Sequence, residues 1–357
     1  MSNVIHKLFV EKLGNTQATN FIGIAGDLFV DPTDGILRLA DGTTPGGSIV
    51  GGVGGDSNPA AYGDSITLGT GAGQTNSGVN IVAIGKAAGN SNQGGMAIAI
   101  GRSAGESNQG WNGIAIGRRA GQSDQQDETV AIGRYAGNNN QRYHGIALGA
   151  QAGETNQYWD GIAIGRSAGN YNQSSQTVAI GHRAGQSTQQ AQAVAIGTWA
   201  GNDSQGYHAV AIGAFAGETS QGWTAIAIGE EAGNTNQNFR AIAIGRWAGD
   251  QNQGAQSVAI GPLAGRYNQG NTAVALGRHA GMTSQGANAI AIGNMAGETN
   301  QDANSIVINA TGDSVASAGA GTMVVQSLRQ VSGGSIPTGF YQVAWNPSTG
   351  EMIVVTE

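Results

Sequence analysis

Between residues 65 and 304 the chain repeats one pattern of apolar and polar positions every 16 residues, fifteen times without insertion or deletion. Each unit opens with alternating small and branched aliphatic residues, as in the AIAIG of residues 97–101. Alternation with period two predicts one short β-strand per unit. A strict period of this length is typical of a solenoid built from stacked, identical coils. We number the positions of a unit from 1, at Ser65, to 16, at Asn80.

Glycine and glutamine recur at fixed positions of the unit. Position 5 is Gly and positions 8 and 9 are Ala and Gly in all fifteen units, which predicts tight corners. Position 13 is Gln in fourteen of the fifteen units, and stacked Gln side chains can form a hydrogen-bonded ladder, with a second strand possible there. At a coil spacing of ~4.8 Å, the sequence predicts an all-β parallel β-roll roughly 70 Å long.

The opening strand of each unit is apolar on both faces. In AIAI the Ile side chains point to one side and the Ala side chains to the other, so both faces require cover. We expect the Ala stripe to pack on the same stripe of other copies related by rotation about the rod axis, which gives a homotrimer. In the alternative, Ala points into a thin roll and Ile outward, or the opposite strand covers the Ala face.

The repeats divide the chain into three predicted segments. Residues 1–56 form an N-terminal β module, with a hairpin turning at DPTDG and a flexible Gly-rich connection. Residues 57–312 form the roll, ended by a capping strand in which Asn309 replaces the corner Gly. Residues 313–357 hold one apolar strand at 323–325 and a C-terminal hairpin tip that turns at NPSTG.

Composition excludes several classes of partner. The formal charge is −7 and the sequence has no local run of Lys or Arg, so we expect no nucleic acid. Without Cys there is no disulfide framework and no thiolate metal site. The sequence shows no signal peptide and no apolar stretch of ~18 residues, so we expect no membrane insertion.

The polar residues suggest no chemistry. Glu106, Glu154, Glu218 and Glu298 share one repeat position, which indicates surface variation and not the acid and base of a glycosidase. The histidines at 144, 182, 208 and 279 lack ligand spacing. We therefore expect no enzyme, no catalytic, metal or cofactor-binding residue, and no cofactor.

Aromatic residues concentrate in two variable positions of the unit, 7 and 15, and in the C-terminal hairpin. They either pack over neighbouring coils and subunits or form a stripe that contacts a glycan or protein. The candidate contact residues are Tyr135, Trp199, Phe215 and Trp247 at position 7, Trp111, Tyr143, Trp159, Tyr207, Trp223 and Phe239 at position 15, and Tyr341 and Trp345 in the hairpin.

Two resemblances direct the functional expectation. The stretch GDLFVDPTDGILRLADGTTPGG, within residues 20–47, resembles the N-terminal regions of tail-fibre and other structural proteins of cyanophage-like tailed phages. The Ala-Ile-Gly strand with its Ala-Gly corner is similar to the head repeats of trimeric autotransporter adhesins, which are parallel β-rolls. The unit here is longer, and neither a signal peptide nor a C-terminal outer-membrane barrel is recognisable, so the resemblance implies a phage fibre that uses the same roll.

These resemblances imply a virion fibre on tail or head, made in the host cytoplasm and exposed on the particle surface. Its expected partners are two further copies of itself, other virion proteins bound through residues 1–56, and a host-surface glycan or protein. The alternatives are a purely structural virion spacer and a free β-solenoid that binds glycan or ice. Ice binding needs a regular Thr/Ser face, and the Thr/Ser position of the unit is interrupted by Asn139, Tyr171, Asp203, Gln251 and Tyr267.

Overall fold

The computed structural model describes residues 65–76 and 78–326, residues 42–43, and the backbone of five short strands outside these ranges. The described residues form an all-β structure without helices. Between residues 65 and 326 the chain winds into a parallel β-solenoid with one coil per 16-residue unit, as the sequence predicts. The strand pairs join residues 16 apart, so equivalent positions of successive coils lie side by side in columns.

Positions 2 to 4 form the first sheet, a parallel ladder of 17 short strands that we call the Ile sheet. Ile66–Leu68 pairs with Val82–Ile84 at one end of the ladder, and Met323–Val325 pairs with Ile306–Ile308 at the other. The strands are Ile66–Leu68, Val82–Ile84, Ile98–Ile100, Ile114–Ile116, Val130–Ile132, Ile146–Leu148, Ile162–Ile164, Val178–Ile180, Val194–Ile196, Val210–Ile212, Ile226–Ile228, Ile242–Ile244, Val258–Ile260, Val274–Leu276, Ile290–Ile292, Ile306–Ile308 and Met323–Val325.

Positions 11 to 13 form the second parallel sheet, the Gln sheet, which confirms the expected second strand. It has nine strands, and isolated bridges continue it from Thr219 to Thr299. The strands are Ser91–Gln93, Ser107–Gln109, Ser123–Gln125, Asn139–Gln141, Thr155–Gln157, Tyr171–Gln173, Ser187–Gln189, Asp203–Gln205 and Thr219–Gln221.

Alanine and glutamine fill the interior of the roll. The alanines at positions 3 and 8, such as Ala163 and Ala168, are fully buried and form one continuous core, while Ile162 and Ile164 point outward. The prediction that other copies cover the Ala stripe is therefore wrong, and the alternative with Ala inside a thin roll is correct. A methyl group suits this interior because the two sheets approach closely across it.

The predicted Gln ladder is present and runs inside the roll. From Gln125 to Gln285 each glutamine Nε2 donates to the Oε1 of the glutamine 16 residues later, at 3.0 to 3.3 Å, so that the ladder ends at Gln301. Gln157 Nε2 also donates to the carbonyl oxygens of Ile146 (2.9 Å) and Gly161 (2.8 Å). Each Gln thus joins the two sheets across the interior and satisfies buried polar groups that would otherwise cost about 1–3 kcal/mol each.

The corners use left-handed backbone at more than the predicted glycines. Positions 7, 12 and 16 have positive φ with non-glycine residues in nearly every coil, including Trp199 (φ 60°), Asn172 (φ 54°) and His208 (φ 55°). Position 12 is Asn in ten of fifteen units, and Asn tolerates this conformation better than most residues. Position 7 never holds Val, Ile or Thr, whose branched Cβ fits it worst.

The structure extends the roll beyond residue 312. The strand expected at Met323–Val325 pairs with Ile306–Ile308, so the latter is not the terminal capping strand that we expected. Asn309 is buried, and its Nδ2 donates to the carbonyl oxygens of Asn294 (2.7 Å) and Asp313 (2.6 Å). Residues 309–322 depart from the 16-residue pattern, which is why the repeat did not assign the strand after them to the roll.

Both predicted hairpins are present in the described backbone. Leu28–Val30 pairs antiparallel with Leu37–Leu39, and Gln342–Asn346 pairs antiparallel with Glu351–Val355. Ser48–Ile49 adds a third strand beside Leu37–Leu39. The expected flexible connection over residues 43–55 is therefore wrong for Ser48 and Ile49.

The corner glycine at position 5 gives a first prediction. A Cβ at Gly165 would lie 2.6 Å from the carbonyl oxygen of Gly181, and φ there is +124°. Gly165→Val should therefore lower the melting temperature by well over about 5 °C, because clash and backbone strain add. Arg166→Ala is the matched control, since Ala150 and Ala214 occupy the same position of other units. Equal melting temperatures of the two variants, measured by circular dichroism, would contradict the role of this corner.

Candidate binding surfaces

An aliphatic face runs the length of the Ile sheet. Positions 2 and 4 carry Ile, Val or Leu in every coil and point away from the interior. At position 4 several of these side chains are substantially exposed, among them Leu148 (42%), Ile212 (37%) and Leu276 (42%). A continuous apolar face of this length marks an interaction surface, since monomeric proteins rarely expose one.

Position 15 forms an aromatic column at the corner that precedes the Ile sheet. Its rings are 43 to 62% exposed, which makes them the most accessible of the candidate contact residues whose side chains are described. The members are Trp111, Tyr143, Trp159, Tyr207, Trp223 and Phe239. Tyr207 and Trp223, in successive coils, meet edge to face at 5.9 Å. Asp127 separates Trp111 from the pair at 143 and 159, and Ser175 and Ala191 separate that pair from the three rings at 207, 223 and 239, so the column offers three groups of rings along the rod.

The aromatic residues at position 7 are held differently, because arginines cover their faces. Arg118, Arg119 and Arg134 lie 5.2 to 5.8 Å from the ring centroid of Tyr135. Trp247 lies beneath Arg246 at 3.7 Å and Arg266 at 4.7 Å. These rings fit the expectation that aromatic side chains pack over neighbouring coils.

Trp199 and Phe215 show the same behaviour in successive coils. Their rings stack at 6.4 Å with an interplanar angle of 21°, and Arg183 lies 4.5 Å above Trp199. Each such contact contributes on the order of 0.5–1 kcal/mol at an exposed site. The position 7 rings therefore stabilise the stack, and only Phe215 among them is exposed, at 36%.

Two of the twelve candidate contact residues fall outside what can be described. Tyr341 lies outside the described residues, and the side chain of Trp345 is likewise not described. In contrast, Tyr158 (45% exposed) and Tyr171 (47% exposed) are accessible aromatics that sequence reasoning did not select. They occupy positions 14 and 11, where aromatics are rare, so repetition offered no signal for them.

The carboxylates of Glu154 and Glu218, at position 10, accept hydrogen bonds from amide side chains of the next coil, and Glu154 also accepts one from its own coil. Glu154 accepts hydrogen bonds from Asn170 (2.9 Å) and Gln151 (3.0 Å), and Glu218 accepts one from Asn234 (2.9 Å). In the described part of the chain, no group of three or more His, Cys, Asp or Glu residues could hold a metal ion. Nor do the described residues include a helix that could cross a membrane.

Folding brings together cations that the sequence keeps apart. Position 6 carries Lys86, Arg102, Arg118, Arg134 and Arg166, which stack in one column although 16 residues or more separate them in the chain. The expectation that no local Lys/Arg cluster exists is therefore wrong in three dimensions. It failed because a parallel ladder places residues 16 apart within ~4.8 Å of one another.

Comparison with known proteins gives no relative for this chain. No family model, no curated protein and no solved structure matches it. The fold is a β-solenoid of about 16 turns, and its function has to be argued from its surfaces.

Asp250, at position 10, is a buried carboxylate in an electrostatically unfavourable environment. It is 3% exposed, and burial raises its pKa although Arg266 lies 3.1 Å from its Oδ2 and opposes the shift. Position 10 is Asn in five other described coils, where its Nδ2 donates to a backbone carbonyl, as Asn234 does to Phe215 (3.0 Å). A carboxylate cannot make that bond.

Asp250→Asn should therefore raise the melting temperature at pH 7 by about 1–3 °C. Because the pKa of Asp250 is raised in the folded state, its ionised form costs stability at neutral pH, and protonation removes that cost. The gain from the substitution should accordingly shrink as the pH falls through the raised pKa. Melting curves between about pH 7 and pH 3 measure this, with Glu218→Gln, at the same repeat position, as the control. A rise in melting temperature from Asp250→Asn that becomes larger at low pH would contradict this explanation.

Proposed function

We propose that the chain is the rod of a homotrimeric virion fibre that spaces and presents a host-binding surface. The observation that carries the proposal is the pairing of a continuous aliphatic face with a separate exposed aromatic column on one solenoid. The first surface suits self-association and the second suits adhesion, and neither requires catalysis.

The aliphatic face has the dimensions of a subunit interface. Its 17 strands of three residues span about 77 Å by about 10 Å, or roughly 750 Å² per copy. Stable interfaces bury about 800 Å² per partner. A second copy fits best because it repeats Ile and Val at the same coil spacing over the whole length. The number three rests on the resemblance to trimeric adhesin heads.

The aromatic column supports adhesion. Exposed Trp and Tyr rings provide apolar platforms with a polar edge, and such rings are frequent in contacts with sugars and proteins. Repetition over several coils and three copies turns contacts of about 1 kcal/mol each into useful avidity. Assignment to a virion rests on the resemblance of residues 20–47 to phage structural proteins, with residues 1–56 as the attachment module.

Self-association is tested by adding charge to the aliphatic face. Ile164→Lys with Ile180→Lys should leave circular dichroism unchanged, because both side chains point out of the roll, and should reduce the complex to single chains. Thr198→Lys with Ala214→Lys adds the same charge at position 6, where Lys86 occurs naturally. Sedimentation should give three times the chain mass of 35.9 kDa for the parent and for this control. A parent that sediments as a monomer would sink the homotrimer.

Adhesion is tested by removing rings from the aromatic column. Replacing Trp111, Trp159 and Trp223 with Ala should lower binding of the full-length chain to a glycan microarray by at least about tenfold, since three platforms are lost. Tyr171→Ala removes an exposed ring from the Gln sheet and should have little effect. Deletion of residues 327–357 examines the hairpin without removing the last strand of the roll. Undiminished binding by the tryptophan variant and by the deletion variant would place the glycan site on another surface and contradict the role of the column, whereas no binding by the parent would leave the chain a structural spacer.

A further inference from the structure

A basic strip lies along the corner that follows the Ile sheet. We define it as positions 6 and 7 of seven successive coils, between residues 86 and 183. Its cationic members are Lys86, Arg102, Arg118, Arg119, Arg134, Arg166 and Arg183, joined by His182, and no Asp or Glu occupies either position in these coils. Backbone bonds fix the column, as between Arg119 N and Arg102 O (2.9 Å). The strip is about 30 Å long.

The cations of the strip lack the ion pairs that two other arginines make. Arg246 pairs with Glu230 at the same position of the preceding coil (3.5 Å), and Arg266 pairs with Asp250. Among the described residues, none of the ion pairs involves a member of the strip. This arrangement concentrates positive charge on a chain whose formal charge is −7.

The fold does not require these charges. Ala150, Thr198 and Ala214 occupy position 6 in other coils, so an uncharged side chain fits. Within the described residues no carboxylate pairs with the strip, so its positive charge is available to an anionic ligand.

The positive charge of the strip contributes to a lowered pKa at His182. Its pKa is lowered by burial and then by Arg166 and Arg183. Arg166 Nη2 lies 2.8 Å from His182 Nε2, which fits a neutral imidazole that accepts a hydrogen bond. At this coil the strip therefore carries the positive charge of Arg183 and none from the neutral His182.

The shape of the strip selects the ligand. Its cations follow successive coils ~4.8 Å apart, with one uncharged coil at Ala150 and Gln151, so the strip matches an extended polymer that carries several anionic groups along its length. Binding of single-stranded nucleic acid relies on bases that stack on free aromatic faces. Here Tyr135 is covered by three arginines, and Trp199 by Arg183 and Phe215. Recognition is left to charge and to the guanidinium forks, which suit sulfate and carboxylate groups.

We propose that the basic strip binds an acidic polysaccharide, along the rod axis and at an edge separate from the aromatic column. This site does not depend on the virion assignment or on self-association. Arginines from successive coils contact successive anionic sugars, so affinity grows with the number of coils engaged and falls steeply with salt.

The experiment compares polymers on the full-length chain. Binding to dextran sulfate and to polygalacturonate is measured by biolayer interferometry between about 50 and 300 mM salt, with neutral dextran and an oligothymidylate of similar length as references. The expected result is salt-dependent binding to both acidic polysaccharides, weaker binding to the oligonucleotide, and none to neutral dextran. No binding to either acidic polysaccharide at low salt would overturn the proposal, as would tighter binding to the oligonucleotide, which would assign the strip to nucleic acid.

Matched variants locate the site. Arg118→Ala, Arg134→Ala and Arg166→Ala together should lower the affinity for dextran sulfate at least about tenfold and reduce the slope of log affinity against log salt by about 2 to 3. Arg142→Gln, Arg240→Gln and Arg278→Ala remove the same charge outside the strip and should change affinity less than about twofold. Equal losses in the two triple variants would show that only net charge matters and would overturn the proposal.

Two further measurements separate this site from other effects. The melting temperature of the strip variant should fall by no more than about 5 °C, because the lost contacts of Arg118 and Arg134 with Tyr135 are partly offset by the removal of repulsion between the cations. Binding of the strip variant to neutral glycans on the microarray should persist, since the aromatic column is intact. Loss of that binding together with the dextran sulfate binding would mean that the two edges form one site, against the proposal. The polymer comparison on the unaltered chain needs no variant and stands even if one fails to fold.

Discussion

The chain of amide hydrogen bonds between interior glutamines is the interaction on which this structure depends. Gln157 binds the glutamines of the coils on either side and two backbone carbonyls, all without access to water. Such a network stabilises the fold where its members are satisfied, and in the described part of the roll the Oε1 atoms of Gln109 and Gln125, at its N-terminal end, lack a hydrogen-bond partner. An insertion in one coil would move its glutamine out of line and leave buried amide groups of two neighbours unpaired. The repeat is therefore strict because its core is polar at one position and tightly packed with methyl groups at the others.

The same constraint leaves the outer positions free to vary. Positions 3, 8 and 13 point inward and positions 5 and 9 are corner glycines, while positions 6, 7 and 15 face solvent at the edges. A parallel ladder turns any preference at an outer position into a column, because each residue lies beside its equivalents at ~4.8 Å. Aliphatic, aromatic and basic columns thus arise on one rod without any change to its core. Weak contacts repeated along a column, and again in each copy, add up to avidity.

Left-handed backbone at three non-glycine positions per coil is the cost of this compact cross-section. Each such residue is strained, yet the backbone N–H of Tyr135 still donates to the carbonyl oxygen of Arg118 (3.0 Å), so the corner keeps its bonds to the coil before it. The strain also restricts which residues occupy position 7. This position holds Arg, Trp or Phe in some units, but it holds a β-branched residue in none. The large side chains at this corner then cover one another through stacking and cation–π contacts.

The sequence by itself determined the strand of each unit, the glycine corners, the Gln ladder and both hairpins, because period-two alternation, fixed glycines and turn residues are local signals. It could not decide which face of AIAI points inward, since Ala and Ile are both apolar; the close approach of the two sheets decided that only Ala fits. The sequence also did not reveal the basic strip, nor which aromatic rings are covered and which are exposed. Those properties depend on neighbours 16 residues away, such as Arg119 beside Tyr135 and Arg183 over Trp199, which only the stacked coils bring together.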